Sequence, residues 1–212
     1  MGFSRAGTVD AFTSESKTDS GGPQAVILIG FMGAGKSSVG KALAALLGWT
    51  FEDLDDRVER REKRKIHEIF RQAGEAEFRC AERAALQHLL HELPTLSGKV
   101  IALGGGAFAQ IRNAQMIKAA GIPTLFLDAS ADELWKRCQR QYRSTGLERP
   151  LLNSLVSFRE LYEDRRPHYL KATFRHQTGG KTVDKIAAEL IDVLQLQPRR
   201  PMRTRDKRGD KP

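Results

Sequence analysis

Two stretches of this chain carry residues whose types and spacing suit phosphate chemistry. "GFMGAGKS" (30–37) fits the pattern G-x-x-x-x-G-K-[ST]. Glycines so placed let backbone N–H groups turn inward around phosphate oxygens. Lys36 then reaches the β- and γ-phosphates, and the Ser37 hydroxyl ligates Mg2+. The second stretch, "EDLDD" (52–56), sets four carboxylates within five residues of a chain whose formal net charge is +9. A solvated turn would explain them, and so would a metal ion to hold or a proton to remove. P-loop proteins usually pair the loop hydroxyl with an Asp at the end of another strand to hold Mg2+. The later strand-like run "VIALGGG" offers no acid, which leaves the acids of 52–56. Parallel strands all end on one side of their sheet. Asp53 and Asp55 are therefore both expected near the γ-phosphate, one serving the metal and one accepting a proton from an attacking hydroxyl. Glu52 and Asp56 read as solvated or helix-capping. The "GGG" of 104–106 is either a tight turn or a place where a small substrate approaches the backbone.

These residues need a scaffold, and the sequence describes one. "AVILIG" (25–30) is a continuous apolar run ending in glycine, as expected of a buried parallel strand. A helix follows from about Lys36 to Leu47, with Gly48 as its stop. "WTFED" is a short strand, and helical character returns over 55–64, 66–72 and 75–92. "KVIALGGG" and "PTLFLDAS" are further strands, with Ser130 and Glu133 as a capping box for the next helix. "KATFRHQ" is a weak fifth strand. Val183, Ile186, Ala187, Leu190, Ile191 and Leu194 mark a last amphipathic helix. Alternating strands and helices predict an α/β fold of three layers, a parallel sheet of five strands flanked by helices.

The chain of 212 residues suits one such domain with extensions. Its longest apolar stretch is broken by glycines and too short to span a bilayer, and residues 1–22 lack the apolar centre of a secretory signal. Cys80 and Cys138 form neither a CxxC pair nor a ligand cluster, so a reducing compartment, the cytoplasm, is expected. Both read as small hydrophobes. The five histidines show no ligand spacing, and Phe70 and Phe78 read as core or pocket wall. Residues 1–22 are expected to be a disordered extension, and order to begin near Pro23. Residues 198–212 carry seven Lys or Arg against two Asp and are expected to be a disordered basic tail. Such a tail can touch nucleic acid or serve only solubility.

The P-loop, "DLD", "EFR", "GGG", "RPLL" and "DRRPHY" occur in one order, and "GEAEFR", "ALGGGA" and "ERPLL" are the selective members of the set. Together they make residues 24–195 resemble the shikimate kinases, small P-loop kinases of the nucleoside monophosphate kinase type. The resemblance implies a kinase domain over 23–197 with a mobile lid at about 139–153. It implies transfer of phosphate from Mg-ATP to the 3-hydroxyl of shikimate, within aromatic amino acid biosynthesis. Gly33, Ala34, Gly35, Lys36, Ser37 and Ser38 would then hold the ATP phosphates, with Ser37 on Mg2+ and Asp53 holding the ion through water. Asp55 would bind the shikimate hydroxyls and act as base. Arg79 and Arg165 would grip the substrate carboxylate, Glu82 would orient Arg79, and Gly105 and Gly106 would lie beside the ring. Arg149, in the lid, would close on the transferring phosphate. Arg137 would stack on adenine, and Lys181 would be a further ATP contact.

The chemistry agrees with the resemblance, because an anionic carboxylate is matched better by the planar fork of Arg than by Lys. Two departures stand out. The segment between Arg137 and "RPLL" is a few residues longer than the usual lid, and "QTGGK" puts glycines where polar or basic residues are common. Two other readings remain open at this level. One is a related kinase for another polyol acid such as gluconate. The other is a non-catalytic nucleotide-binding protein that acts through its basic tail. A monomer that needs neither membrane nor specific nucleic acid is expected.

Overall fold

The computed structural model describes residues 23–93, 98–145 and 154–196, with the side chains of 144 and 145 left aside. Its centre is a parallel sheet of β1 (Ala25–Ile29), β2 (Thr50–Asp53), β3 (Lys99–Ala102), β4 (Thr124–Asp128) and β5 (Phe174–Gln177), in the order β2-β3-β1-β4-β5. The two strands beside β1 hold it in register, Leu28 opposite Ala102 and Leu125. Val26 to Ile29 and Leu125 to Leu127 are buried along their whole length, which is why these strands are apolar without alternation. β5 sits at the sheet edge with a single buried residue, His176, so its sequence signal is weak.

Among the described residues seven helices flank the sheet: α1 (Lys36–Leu47), α2 (Leu54–Glu62), α3 (Ile66–Glu92), α4 (Ile111–Ala119), α5 (Ala131–Thr145), α6 (Leu155–Tyr169) and α7 (Val183–Leu194). α1 packs on α7, α2 on α3, and α5 on α6. Gly48 ends α1 in the left-handed conformation (φ 63°), as expected of a glycine stop. The two helical runs expected at 66–72 and 75–92 are present within α3 and are separated by the non-helical backbone of Gly74 (φ 79°, ψ −178°), where the chain kinks. Ser130 caps α5 by accepting from the Glu133 N–H, while the Glu133 carboxylate reaches forward to Arg137 Nε at 3.0 Å. α4 and α6 were not assigned from sequence. α4 has only Asn113 and Ile117 buried, so its apolar stripe is short.

Two expectations are corrected. Glu52 is not solvated. Its side chain is 10% exposed and joins Arg57, Arg60 and Lys99 at 2.6–2.9 Å. Burial would raise its pKa, but the Lys99 and Arg57 charges outweigh this and hold it below the usual carboxylate range. Cys138 is buried as a small hydrophobe should be, whereas Cys80 is exposed on α3. Phe78 is core and its ring lies 4.7 Å from that of the half-exposed Phe70. Arg149 with its "RPLL" segment, residues 1–22 and the basic tail of 198–212 lie outside the described residues. Of the expected lid, residues 139–145 continue α5. Among the described residues no helix is long and apolar enough to cross a membrane.

Candidate active site

The carboxyl ends of β1, β2 and β3 meet above the sheet, and the expected site residues come with them. At the end of β1 the loop of 30–35 turns into the first turn of α1. Gly33 and Gly35 have positive φ (78° and 89°), which aims successive N–H groups into the turn. Gly33 is required sterically as well, because a Cβ there would stand 2.7 Å from the Leu134 carbonyl and 2.8 Å from Cys138 Sγ. Lys36 Nζ donates to the carbonyls of Gly30 (2.9 Å) and Phe31 (3.1 Å), so the ammonium already lies over the loop.

The acids of 52–56 take separate positions. Asp53 ends β2 and caps α2, accepting from the Asp55 N–H at 3.1 Å through Oδ1. Its Oδ2 accepts from Ser37 Oγ at 2.7 Å. Two oxygen donors are therefore side by side at the mouth of the loop. Asp55, in the first turn of α2, points inward. Its Oδ1 is buried with no hydrogen-bond partner among the described residues. Burial pushes the Asp55 carboxyl up to about 7, aided by the charges of Asp53 and Glu82 and opposed by Lys36. Asp56 is exposed.

The three glycines after β3 make room for these groups. A Cβ on Gly104 would stand 2.5 Å from Asp55 Oδ1, and one on Gly106 would stand 2.8 Å from Arg79 Nη2. Arg79, on α3, donates through Nη1 to both oxygens of buried Glu82 at 3.0 and 3.2 Å. Burial works against its charge, yet Glu82 and Glu75 hold the guanidinium above its ordinary pKa. Arg165, on α6, lies over the Phe31 ring, and its Nη1 would stand 3.8 Å from a Cβ on Gly105. Tyr169 donates its hydroxyl to the Gly105 carbonyl. Burial raises Glu82 above the usual carboxylate range, although both Arg79 and Arg165 pull it down. The two arginines thus share one neighbourhood behind Gly105 and Gly106.

A cavity of about 740 Å3 joins the parts. Gly33 to Ser38, Asp53, Asp55, Gly104, Gly105, Arg137 and Lys181 line it, together with Arg140, Gln141, Val183 and Ile186. Arg137 is fixed by Glu133 and by Thr178, whose Oγ1 and carbonyl accept at 3.2 and 2.8 Å. Lys181 pairs with Glu189 at 2.6 Å. The expected phosphate-loop, carboxylate and adenine-side residues thus line one cleft, whereas Arg79, Glu82, Gly106 and Arg165 are not among its lining and stand beside it, with Arg79 at Gly106 and Arg165 at Gly105.

Sequence reasoning missed several positioning groups. Gly104 carried a signal only as one of three glycines. Tyr169 and Thr178, within "DRRPHY" and "QTGGK", showed no role because their partners Gly105 and Arg137 are set by tertiary packing. Glu75, within "GEAEFR", stands four residues before Arg79 on one helix, a spacing that could have revealed the pair. The chemistry available in the cleft is transfer of a phosphoryl group: an N–H cradle, a lysine, two oxygen donors and a buried carboxylate of raised pKa. Two guanidinium groups, those of Arg79 and Arg165, lie close by at Gly106 and Gly105.

A family model for shikimate kinase matches residues 32–195. The chain is 36% identical over 167 residues to a shikimate kinase of Persephonella marina, covering 78% of this chain and 96% of the relative. It is 37% identical over 173 residues to one of Cereibacter sphaeroides, covering 82% and 83%. A shikimate kinase from Acinetobacter baumannii, solved in complex with shikimate, superposes with a TM-score of 0.71 at 32% identity, covering 82% of this chain and 93% of that one. A gluconokinase from Sinorhizobium meliloti reaches a TM-score of 0.52 at 21% identity, covering 82% and 93%, a likeness of fold alone.

Proposed function

The chain belongs to the shikimate kinase family, and from that premise we propose how its own residues carry the reaction. The enzyme phosphorylates shikimate at the expense of ATP, and the gluconate reading is not favoured. The observation that carries the residue assignment is the buried, unpartnered Oδ1 of Asp55 between the phosphate loop and the two arginines.

In this account the backbone of Gly33 to Ser38 and the Lys36 ammonium bind the phosphates of ATP. Arg137 and Lys181 lie along the adenosine side. Arg79, oriented by Glu82, and Arg165 receive the shikimate carboxylate, and the backbone of Gly105 and Gly106 lies beside the ring. That placement turns the 3-hydroxyl towards Asp55. The hydroxyl gives its proton to Asp55 as its oxygen bonds the γ-phosphorus. The bond from that phosphorus to the bridging oxygen breaks, and ADP leaves. A base pKa near the operating pH combines an ionised fraction with sufficient basicity. Arg149 would add positive charge at the transferring group.

The donors present fit Mg2+. The ion favours oxygen ligands and is usually held by one or two carboxylates with substrate phosphates, and Ser37 Oγ and Asp53 Oδ2 already stand 2.7 Å apart. Ser37 would ligate it directly and Asp53 through water. When bound, it supplies positive charge on the β- and γ-phosphate oxygens.

We place catalysis in 23–197 of a monomer working in the cytoplasm, with no role for residues 1–22, the basic tail, a membrane or nucleic acid in the chemistry. Phosphorus NMR of ATP, Mg2+ and shikimate with the enzyme tests the assignment. Asp55→Asn should slow formation of the phosphate ester by about 10²–10⁴-fold while binding of an ATP analogue persists. Ester formation within a few fold of the parent rate removes Asp55 as the base.

A further inference from the structure

Among the described residues, the Arg79 guanidinium meets buried groups on most sides. Glu82, 1% exposed, holds Nη1. A Cβ on Gly106 would stand 2.8 and 3.0 Å from Nη2 and Nη1, and the Phe78 ring centre is 5.1 Å from Cζ. The remaining edge, Nε with Nη2, donates at 3.2 and 3.0 Å to a single oxygen of Glu75. The Glu75 side chain is 66% exposed and follows the kink at Gly74, around which a Cβ would meet nothing within 4 Å. Of the described groups around this guanidinium, Glu75 is the exposed one, with room to leave.

We propose that Glu75 sets substrate affinity as a tethered carboxylate that occupies the open edge of Arg79 until a substrate carboxylate displaces it. The inference rests on the reading of Arg79 as the carboxylate's partner. Glu75 offers one oxygen to two N–H groups. A free planar carboxylate offers two, in the parallel geometry that suits the fork, and it also draws on the charge of Arg165. An acid therefore competes successfully with Glu75. A neutral polyol leaves the Glu75–Arg79 pair closed and gains from neither arginine. Glu75 thus lowers affinity for every carboxylate ligand and leaves that for uncharged ones unchanged.

The test is calorimetric titration of shikimate, its neutral methyl ester and an ATP analogue into the parent enzyme, Glu75→Gln and Arg79→Ala. Glu75→Gln should bind shikimate roughly two- to five-fold more tightly, the range expected for release of an exposed ion pair. The gain should shrink as salt is raised. It should be absent for the methyl ester and for the ATP analogue. Loss of a merely structural contact would not tighten binding. Unchanged or weaker shikimate binding in Glu75→Gln, with Arg79→Ala still losing affinity, overturns the role of Glu75 alone. Parent-like shikimate binding by Arg79→Ala overturns the underlying reading of Arg79.

Discussion

Replacing Gly104 by alanine should cripple the reaction while sparing the fold. Gly104 is not among the glycines with positive φ, so alanine accepts its backbone. The added Cβ, however, would stand 2.5 Å from Asp55 Oδ1 and 3.2 Å from Asp55 Cγ. Restoring an ordinary contact of 3.4 Å requires the carboxylate oxygen to retreat by about 0.9 Å. A displacement of about 1 Å in a reacting group can cost about 10²-fold in rate, and complete loss of a general base costs about 10²–10⁴-fold. A fall in kcat of about 10²-fold is therefore expected. The Kd for an ATP analogue should not change, because the phosphate loop is untouched. A carboxylate moved towards water also loses the burial that lifts its pKa, so the residual activity should set in at lower pH. Steady-state kinetics across pH, with a thermal melt as control, give the comparison. A kcat within about threefold of the parent, with an unchanged melt, would refute the idea that Gly104 leaves the space in which Asp55 works.

Three further outcomes are expected. The Asp55 pKa is raised above its ordinary value of 3.8 to about 7. The folded state therefore binds this proton more tightly, and stability is lost as pH rises through that range; Asp55→Asn should gain stability over the parent at pH 8 in urea denaturation, and equal or lower stability there would contradict the raised pKa. Arg79→Lys keeps the charge but not the fork, and a lost charge-assisted hydrogen bond of about 1.5–3 kcal/mol should weaken shikimate binding about 10–150-fold with ATP affinity preserved; a fall in ATP affinity instead would place Arg79 on the nucleotide. Glu52→Ala leaves Arg57 and Lys99, 13% and 12% exposed, without their shared carboxylate, and should cost about 3 kcal/mol in denaturant unfolding while kcat holds; a kcat loss at unchanged stability would mean that Glu52 serves the site.

The sequence carried most of the site because its main parts are local. The phosphate loop needs only a strand, glycines and a helix start, all contiguous in 25–47. Asp53 and Asp55 followed from one rule, that parallel strands end together, and β2 does end at Asp53. The failures are non-local. Glu52 looked like part of a solvated acidic turn because its partner Lys99 is 47 residues away, on the neighbouring strand. Cys80 sits on the exposed side of α3, a side that composition does not reveal. α6 escaped because its hydrophobic pattern is weak: Phe158, Tyr162 and Tyr169 are buried, but charged residues surround them. Pro167 inside its last turn obscures the helix further. Thr178 lies within the quoted "QTGGK", yet its own role was not legible. It is fully buried and holds Arg137 only because β5 lies beside β4.

The most direct measurement is ADP release from ATP and Mg2+ in the presence of shikimate, of gluconate, or of neither. ADP should form rapidly with shikimate, in step with loss of its free hydroxyl, and at a small background rate otherwise. Equal ADP release with and without shikimate, or stimulation by gluconate alone, would contradict the assignment of the acceptor and with it the roles given to Arg79, Arg165 and Asp55.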